Sequence, residues 1–319
     1  MRTLIVLCAG DNMLKNKPAI LEKHPLNGVA LAYKAIEGIY PESYNRIIFT
    51  ILEEMDIKYK LSSELDALLS SQLNIEMCLL PKKTSGPAES AFLTINQMSV
   101  VGEVTIRDSH NYIRLEKPSK GNCIAGVDLT KIEGPIENLR SKSFLVLNEQ
   151  NQVLDIIEKS FRSDVISVGL YSFRDAKDFI DAYNRLNNTL YPIGKLYISH
   201  IISYLIGYYN RMFYVLPAYQ FEDWGSLTAW HNLQKQYATY FLDLDDVKRY
   251  MDTYHIKAIK ELEHRRKRGA KIIGCIQNPE SDIMEVQKEF EAFGILVDGV
   301  IKGINASSER IFLSDLGDL

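Results

Sequence analysis

From its first residues the chain alternates short apolar runs with amphipathic helical patterns, and few folds accept that order. Leu4-Ile5-Val6-Leu7-Cys8 is apolar without a break and ends at Ala9-Gly10. Continuous apolarity over strand length fits a strand covered on both faces, as in a parallel sheet between two helix layers. Gly28 to Ile39 then places Val29, Leu31, Ala32, Ala35 and Ile36 at helical spacing. Arg46 to Leu52 reads as a second strand, Leu61 to Ser71 as a helix and Ile75 to Leu80 as a third strand. This alternation predicts a doubly wound α/β domain with a mixed, mostly parallel sheet. Ligands of such sheets bind beyond the carboxyl ends of the strands, where Gly10 and Gly86 both fall.

The stretch Thr84-Ser85-Gly86-Pro87-Ala88-Glu89-Ser90-Ala91 lies between the third strand and the helical pattern Ala91-Phe92-Leu93-Thr94-Ile95. A glycine there lets backbone approach a flat or anionic ligand, and the new helix adds N–H donors and a positive dipole end. Small residues are also ordinary punctuation at such a turn. Further on, Glu103 to Asp108 is a short strand ending in an acid. An aspartate held there serves either as a metal ligand or as a turn-former.

The middle region is richer in strands. Ser143 to Leu147 and Val153 to Glu158 flank Asn148-Glu149-Gln150-Asn151 as a hairpin, and Ile166 to Phe173 is another strand. Asp175 to Leu186 and Tyr197 to Tyr208 read as helices, Met212 to Leu216 as a strand, Phe221 to Ser226 as a polar loop and Leu227 to Gln236 as a helix. A second α/β unit then begins, with the run Tyr240 to Leu242, the acidic stretch Asp243-Leu244-Asp245-Asp246-Val247 and a helix from Ile256 to Arg268. Ala270 to Ile276, Ile283 to Phe293 and Leu296 to Ile301 continue it as strand, helix and strand, and Ile311-Phe312-Leu313 leads to Asp315. The boundary is placed at Gln236, giving domains 1–236 and 237–319.

Composition removes several function classes. The 319 residues are 46% hydrophobic and 24% charged, with a formal net charge of −4, so no broad basic field invites nucleic acid. The dense run His264-Arg265-Arg266-Lys267-Arg268 sits at a predicted helix end, where cations complement the dipole. Cys8, Cys78, Cys123 and Cys275 form no CxxC pair, which argues against a zinc site and for reduced thiols. The longest apolar stretch, Leu196 to Tyr209, is broken by Ser199, His200, Ser203 and Gly207, so no membrane span is expected. Without a basic, apolar leader pattern at its start, the chain is expected in the cytoplasm.

The order of these pieces resembles the sugar-phosphate nucleotidyltransferase family. Its features are matched by the strand and loop Leu4 to Gly10, the turn Ser85-Gly86-Pro87-Ala88, Asp108, the pair Glu158-Lys159, the strand Gly169 to Phe173 and Asp223-Trp224-Gly225-Ser226. The resemblance implies a Rossmann-like domain that joins a sugar or polyol phosphate to the α-phosphorus of a nucleoside triphosphate. Mg²⁺ and cationic side chains must then neutralise two anions. It implies Asp108 and Asp223 as metal ligands, and Leu7, Ala9, Gly10, Lys15, Gly86 and Ala88 around the nucleotide. Glu158, Lys159 and Gly169 would bind the sugar phosphate, with Lys17 and Lys159 catalytic. The family follows its first Ala-Gly with a further Gly and an Arg, whereas this chain reads Asp11-Asn12-Met13-Leu14-Lys15-Asn16-Lys17-Pro18. Lys17-Pro18 can match the Lys-Pro that follows in the family, and Lys15 would replace the bidentate fork of the Arg with a point charge.

The last residues resemble a small, capless haloacid-dehalogenase-like phosphatase domain through Asp243-Leu244-Asp245-Asp246-Val247. That implies Asp243 as nucleophile, Asp245 as general acid/base, and Mg²⁺ held with Asp315. The Ser or Thr expected after its second strand is missing near Cys275-Ile276-Gln277. Three functions stay open on the sequence: an enzyme making a nucleotide-activated sugar or polyol for surface polysaccharide, a pseudoenzyme or scaffold that keeps the pocket, and a phosphatase acting through the C-terminal domain. Assembly into a homo-oligomer also stays open.

Overall fold

The computed structural model describes residues 1–303 apart from 11–12, 15–16, 70–72, 133–138, 191–194 and 268. The predicted Lys15, Asp315 and the run Ile311 to Leu313 lie outside the described residues. The chain divides into two compact units: Met1–His24 with Gly28–Trp230, and Pro25–Asn27 with His231–Leu319. The division falls inside the helix that the sequence places last in its first domain.

In chain order the first unit contains β1 (Arg2–Leu7), the two-residue strands β2 (Met13–Leu14) and β3 (Lys17–Pro18), α1 (Leu31–Glu37), β4 (Arg46–Leu52), α2 (Glu53–Tyr59), α3 (Leu61–Leu69) and β5 (Ile75–Leu80). It continues with α4 (Pro87–Gln97), β6 (Glu103–Asp108), β7 (Asn111–Leu115), β8 (Cys123–Asp128), β9 (Ser143–Leu147), β10 (Gln152–Glu158) and β11 (Val165–Phe173). Then come α5 (Ala176–Leu190), α6 (Ile198–Tyr209) and β12 (Phe213–Asp223), and α7 (Leu227–Gln236) crosses the division. The architecture is mixed α/β. One large sheet has the order β5-β4-β1-β6-β11-β8-β12-β10-β9, and β7 pairs with β12. Strands β5, β4, β1 and β6 run parallel to one another; β11 enters antiparallel, and the remainder is mixed.

The continuous apolarity of β1 and β4 has the expected cause. Leu4, Val6, Ile47 and Phe49 face α1 and α3, packing with Ala32, Ile36 and Leu65. Ile5 and Ile48 point the other way, into Ala88, Ala91 and Ile95 of α4 and residues of α5 and α6. Burying each such aliphatic side chain contributes about 1.5–3 kcal/mol before entropy is counted.

The fold departs from the sequence reading in several places. Strands β2, β3, β7 and β8 and helix α2 are additional. β8 carries Gly126, where a Cβ would lie 2.6 Å from Val215 Cγ2, so the residue that weakens the strand signal is the one that lets β12 approach. β12 is longer than predicted and includes the stretch read as a loop from Phe221 to Asp223. Pro217 marks the end of its pairing with β8, after which the strand changes partner and pairs with β7 from Ala218 to Asp223. A proline at a change of partner costs no ladder bond that the strand needs. Finally α4 begins at Pro87 rather than near Ala91, as suits proline in a first turn.

The second unit holds a parallel sheet, β13 (Thr239–Asp243), β14 (Lys271–Ile276) and β15 (Gly299–Lys302), with α8 (Leu244–Lys267) and α9 (Ile283–Ala292). Its core is Leu242, Leu244, Val247, Leu262, Ile272, Val286, Phe290 and Ile295. Here one helix starts at Leu244, earlier than the helix expected from Ile256, and takes in the acidic stretch. Asp243 accepts the Asp245 N–H at 2.9 Å, as an N-cap does, and Leu244 and Val247 are buried. The basic end of α8 is spent locally: Arg265 pairs with Glu261, Arg266 with Asp298 and Lys267 with Glu263. No helix of the described residues is long and apolar enough to cross a membrane.

Candidate active site

Strand register brings several of the predicted residues of the first unit to one place. Leu7 lies opposite Asp108, Arg107 opposite Leu170, and Asp223 opposite Asn111. The carboxyl ends of β1, β6 and β12 therefore meet next to Gly169. A cavity of about 540 Å³ opens there, and Leu7, Ala9, Gly10, Gly86, Asp108, Glu158, Gly169 and Asp223 all line it. Two loops are tied together beneath it. Ser109 Oγ donates to the Leu7 carbonyl at 2.8 Å, the fully buried Trp224 donates its indole N–H to Ser109 O at 3.1 Å, and Trp224 N donates to His110 O at 3.0 Å. These bonds hold Asp108 and Asp223 on the same wall.

Gly169 stands against Asp108. Its φ is +73°, and a Cβ there would lie 2.8 Å from Asp108 Cβ and would collide with Asp108 Oδ2. Gly169→Ala must strain the backbone or move the carboxylate. We expect it to lower unfolding stability by roughly 1–3 kcal/mol in urea titration. An unchanged midpoint and slope would show that the two residues do not press on each other.

Behind Asp108 lies Arg107, which is fully buried. Its guanidinium donates to the carbonyls of Ala35 (2.9 Å), Val168 (3.0 Å), Gly169 (3.1 Å) and Asn111 (2.7 Å) and to Asn111 Oδ1 (2.8 Å). Burial pulls it down to about 10, with neighbouring Asp108 opposing, so it stays cationic at neutral pH. A charge this deep is tolerated because all its donor directions are answered.

The polar groups are paired in a definite pattern. Asp223 Oδ2 accepts from Lys142 Nζ at 2.5 Å and its Oδ1 from Gly225 N at 2.7 Å. His110 Nε2 is 3.7 Å from Asp108 Oδ2. Glu158 accepts from Ser143 Oγ at 2.5 Å and Ser199 Oγ at 2.6 Å, two hydroxyls that fix its carboxylate at the wall. Lys159 has the left-handed φ of 55° and donates to the Tyr197 hydroxyl at 2.5 Å, 4.3 Å from that ring's centre. Tyr197 lines the cavity, whereas Lys159, predicted to bind substrate, is exposed and does not line it. Two hard carboxylates on one wall suit Mg²⁺ by donor type. Among the described residues no three acidic, His or Cys groups cluster as a metal site, so other oxygens would complete the coordination.

Other predicted residues are placed differently. Ala88 is fully buried in the core behind the turn. A Cβ at Gly86 would lie 2.7 Å from Lys195 Cγ and 2.8 Å from Leu196 O, so this glycine makes room for the chain itself; Gly10 faces open space. Lys17 does not line this cavity. It is largely exposed, 3.9 Å from Glu22, and borders a separate cavity of about 760 Å³ with Lys23, Tyr33 and Tyr59. In the second unit Asp243 is buried at a strand end, and Asp245 is exposed in the first turn of α8. Lys142, Ser143, Lys195, Tyr197 and Ser199 also line the main cavity. Sequence reasoning passed over them because single Ser, Lys and Tyr residues at strand starts and loop ends carry no spacing signal.

No protein-family model matches the sequence, and no curated protein sequence does. Solved structures do share the fold. A nucleoside-diphosphate-sugar pyrophosphorylase from Vibrio cholerae RC9 aligns over 73% of this chain and 99% of its own, with a TM-score of 0.58 and 17% identity. The inositol-1-phosphate CTP transferase from T. maritima aligns over 73% and 95%, with a TM-score of 0.56 and 13% identity. A Bacillus anthracis protein assigned as a glucose-1-phosphate thymidylyltransferase gives 73%, 94%, 0.57 and 14%. The chain is similar in fold to sugar-phosphate nucleotidyltransferases.

Proposed function

We propose that the first unit transfers a nucleoside monophosphate from a nucleoside triphosphate to a sugar or polyol phosphate, releasing pyrophosphate. The product would be a nucleotide-activated sugar or polyol, and its use would be surface polysaccharide assembly in the cytoplasm. One observation carries this reading: Asp108, Asp223, Glu158 and Gly169, from four different strands, line one cavity with Leu7, Gly10 and Gly86. Carboxylates converging beside a glycine turn suit a divalent cation, and such a cation is what two anionic substrates need in order to meet.

The backbone at Leu7, Gly10 and Gly86 would receive the nucleotide. Asp108 and Asp223 would hold Mg²⁺, which supplies charge neutralisation and orientation of phosphate oxygens. Glu158, fixed by Ser143 and Ser199, would accept from a sugar hydroxyl. Lys159 would release Tyr197 and bind the acceptor phosphate, stabilising its charge as it approaches phosphorus. For residues 237–319 we propose a degenerate haloacid-dehalogenase-like domain in which Asp243 and Asp245 keep a metal-binding geometry and hydrolysis is slow or absent. The test of the first proposal is a screen for pyrophosphate release, pairing the common nucleoside triphosphates with a panel of sugar and polyol phosphates. At least one pair is expected to release pyrophosphate with Mg²⁺ present. Release with none, despite measurable nucleotide binding, would favour the scaffold reading.

A further inference from the structure

Lys142 has no place in the transfer proposed above, yet it holds the most confined ammonium on the cavity wall. Its Nζ sits 2.5 Å from Asp223 Oδ2, with the two side chains only 13% and 12% exposed, and 5.4 Å from the centre of the Phe221 ring. The other oxygen of Asp223 is taken by Gly225 N. Each oxygen of this carboxylate therefore already accepts a hydrogen bond, one of them from a cation. Asp108 differs: its contact with His110 is 3.7 Å, beyond a hydrogen bond.

The backbone of Lys142 is anchored on both sides. Its N–H donates to Leu139 O at 3.1 Å, and its carbonyl accepts from Lys159 N at 3.1 Å. A fixed backbone with a four-carbon stem lets the ammonium move while the residue stays in place. The cavity offers it an alternative partner as soon as an anion enters.

We propose that Lys142 is a resident counter-cation for Asp223, which must leave that carboxylate before a divalent ion can use it. This rests on Asp108 and Asp223 being the metal pair, as proposed above. Metal then binds weakly to the free protein and strongly with nucleotide, because an incoming triphosphate draws the ammonium away while supplying oxygens of its own. An ion admitted without nucleotide would compete directly with a close, poorly hydrated ion pair.

The test is Mn²⁺ binding to the full chain without nucleotide, read from the loss of the free-ion electron paramagnetic resonance signal. Lys142→Gln should bind Mn²⁺ about tenfold or more tightly than wild type, since freeing a charge-assisted bond of this kind is a step of at least that size. Asp223→Asn combined with Lys142→Gln should lose the gain. Lys142→Arg, which preserves the pair with a bidentate partner, should bind Mn²⁺ more weakly than wild type and keeps the test decisive if the Gln variant does not fold. Wild-type affinity in Lys142→Gln, or tighter binding in Lys142→Arg, would overturn the proposal. If Asp108→Asn still weakens Mn²⁺ binding in the presence of nucleotide, the metal pair survives that failure. If neither aspartate variant changes Mn²⁺ binding with or without nucleotide, the metal pair itself is wrong.

Discussion

Asp108→Asn is expected to cut nucleotide-dependent pyrophosphate release by about 10²–10³-fold, the size of effect seen when one preorganised charge-stabilising group is lost. Asparagine keeps the shape of the side chain beside Gly169 and removes its charge. The thermal midpoint should fall only modestly: the contact of Asp108 with His110 is 3.7 Å, and its charge opposes only part of the burial penalty on Arg107, whose donors stay answered. Steady-state pyrophosphate release and a melting curve on the same preparation check both halves. A variant with near wild-type turnover would remove Asp108 from the mechanism, and a collapsed melting curve would make it a structural acid.

Arg107→Met should produce the largest loss of stability in the first unit. Methionine fills much of the volume but leaves four carbonyls and the Asn111 side-chain oxygen without their donor. Breaking a buried, fully answered charge site costs about 3–5 kcal/mol. For a unit of this size that corresponds to a fall in midpoint on the order of 10 °C. Gly169 and Asn111 both line the cavity, so activity should fall with stability. Guanidinium unfolding followed by tryptophan fluorescence reads the effect, since Trp224 sits on the tied loops. A shift below about 1 kcal/mol would mean that water or a rearranged Asn111 satisfies those acceptors.

Much of the first unit was legible because its strands are apolar on both faces and its helices on one. The spans of β4, β5, β6 and α7 fall where periodicity puts them. What escaped reading was set by pairing between distant segments. Asn111 to Leu115 is too short and too mixed to announce a strand. It becomes one because β12 lies beside it and Gly38 lets it approach α1, where a Cβ would collide with Ile113 O. The same pairing turns Asp223 from a loop residue into the end of a strand, matching Asp108.

The site divides along similar lines. Asp108, Glu158 and Asp223 at strand ends and Gly169 inside β11 could be picked out because their order resembles that of the family, and all four line the cavity. Lys142 and Arg107 could not. Lys142 meets its partner across 81 residues of chain, and the acceptors of Arg107 come from three other elements, α1, β7 and β11. Lys17 shows the reverse: a lysine next to proline in a suggestive loop, which the structure places at a different cavity. In the second unit the acidic stretch after β13 does not announce its helix, because a helix first turn tolerates the same Asp residues that a metal loop would need.

The central claim is transfer of a nucleotidyl group, and phosphorus NMR of the reaction follows that group directly. With the substrate pair that releases pyrophosphate, the paired signals of a nucleotide–sugar diphosphate bridge are expected to grow one for one with inorganic pyrophosphate and to be absent with Asp108→Asn. A spectrum showing only nucleoside diphosphate and inorganic phosphate, or triphosphate unchanged with every acceptor, would contradict it.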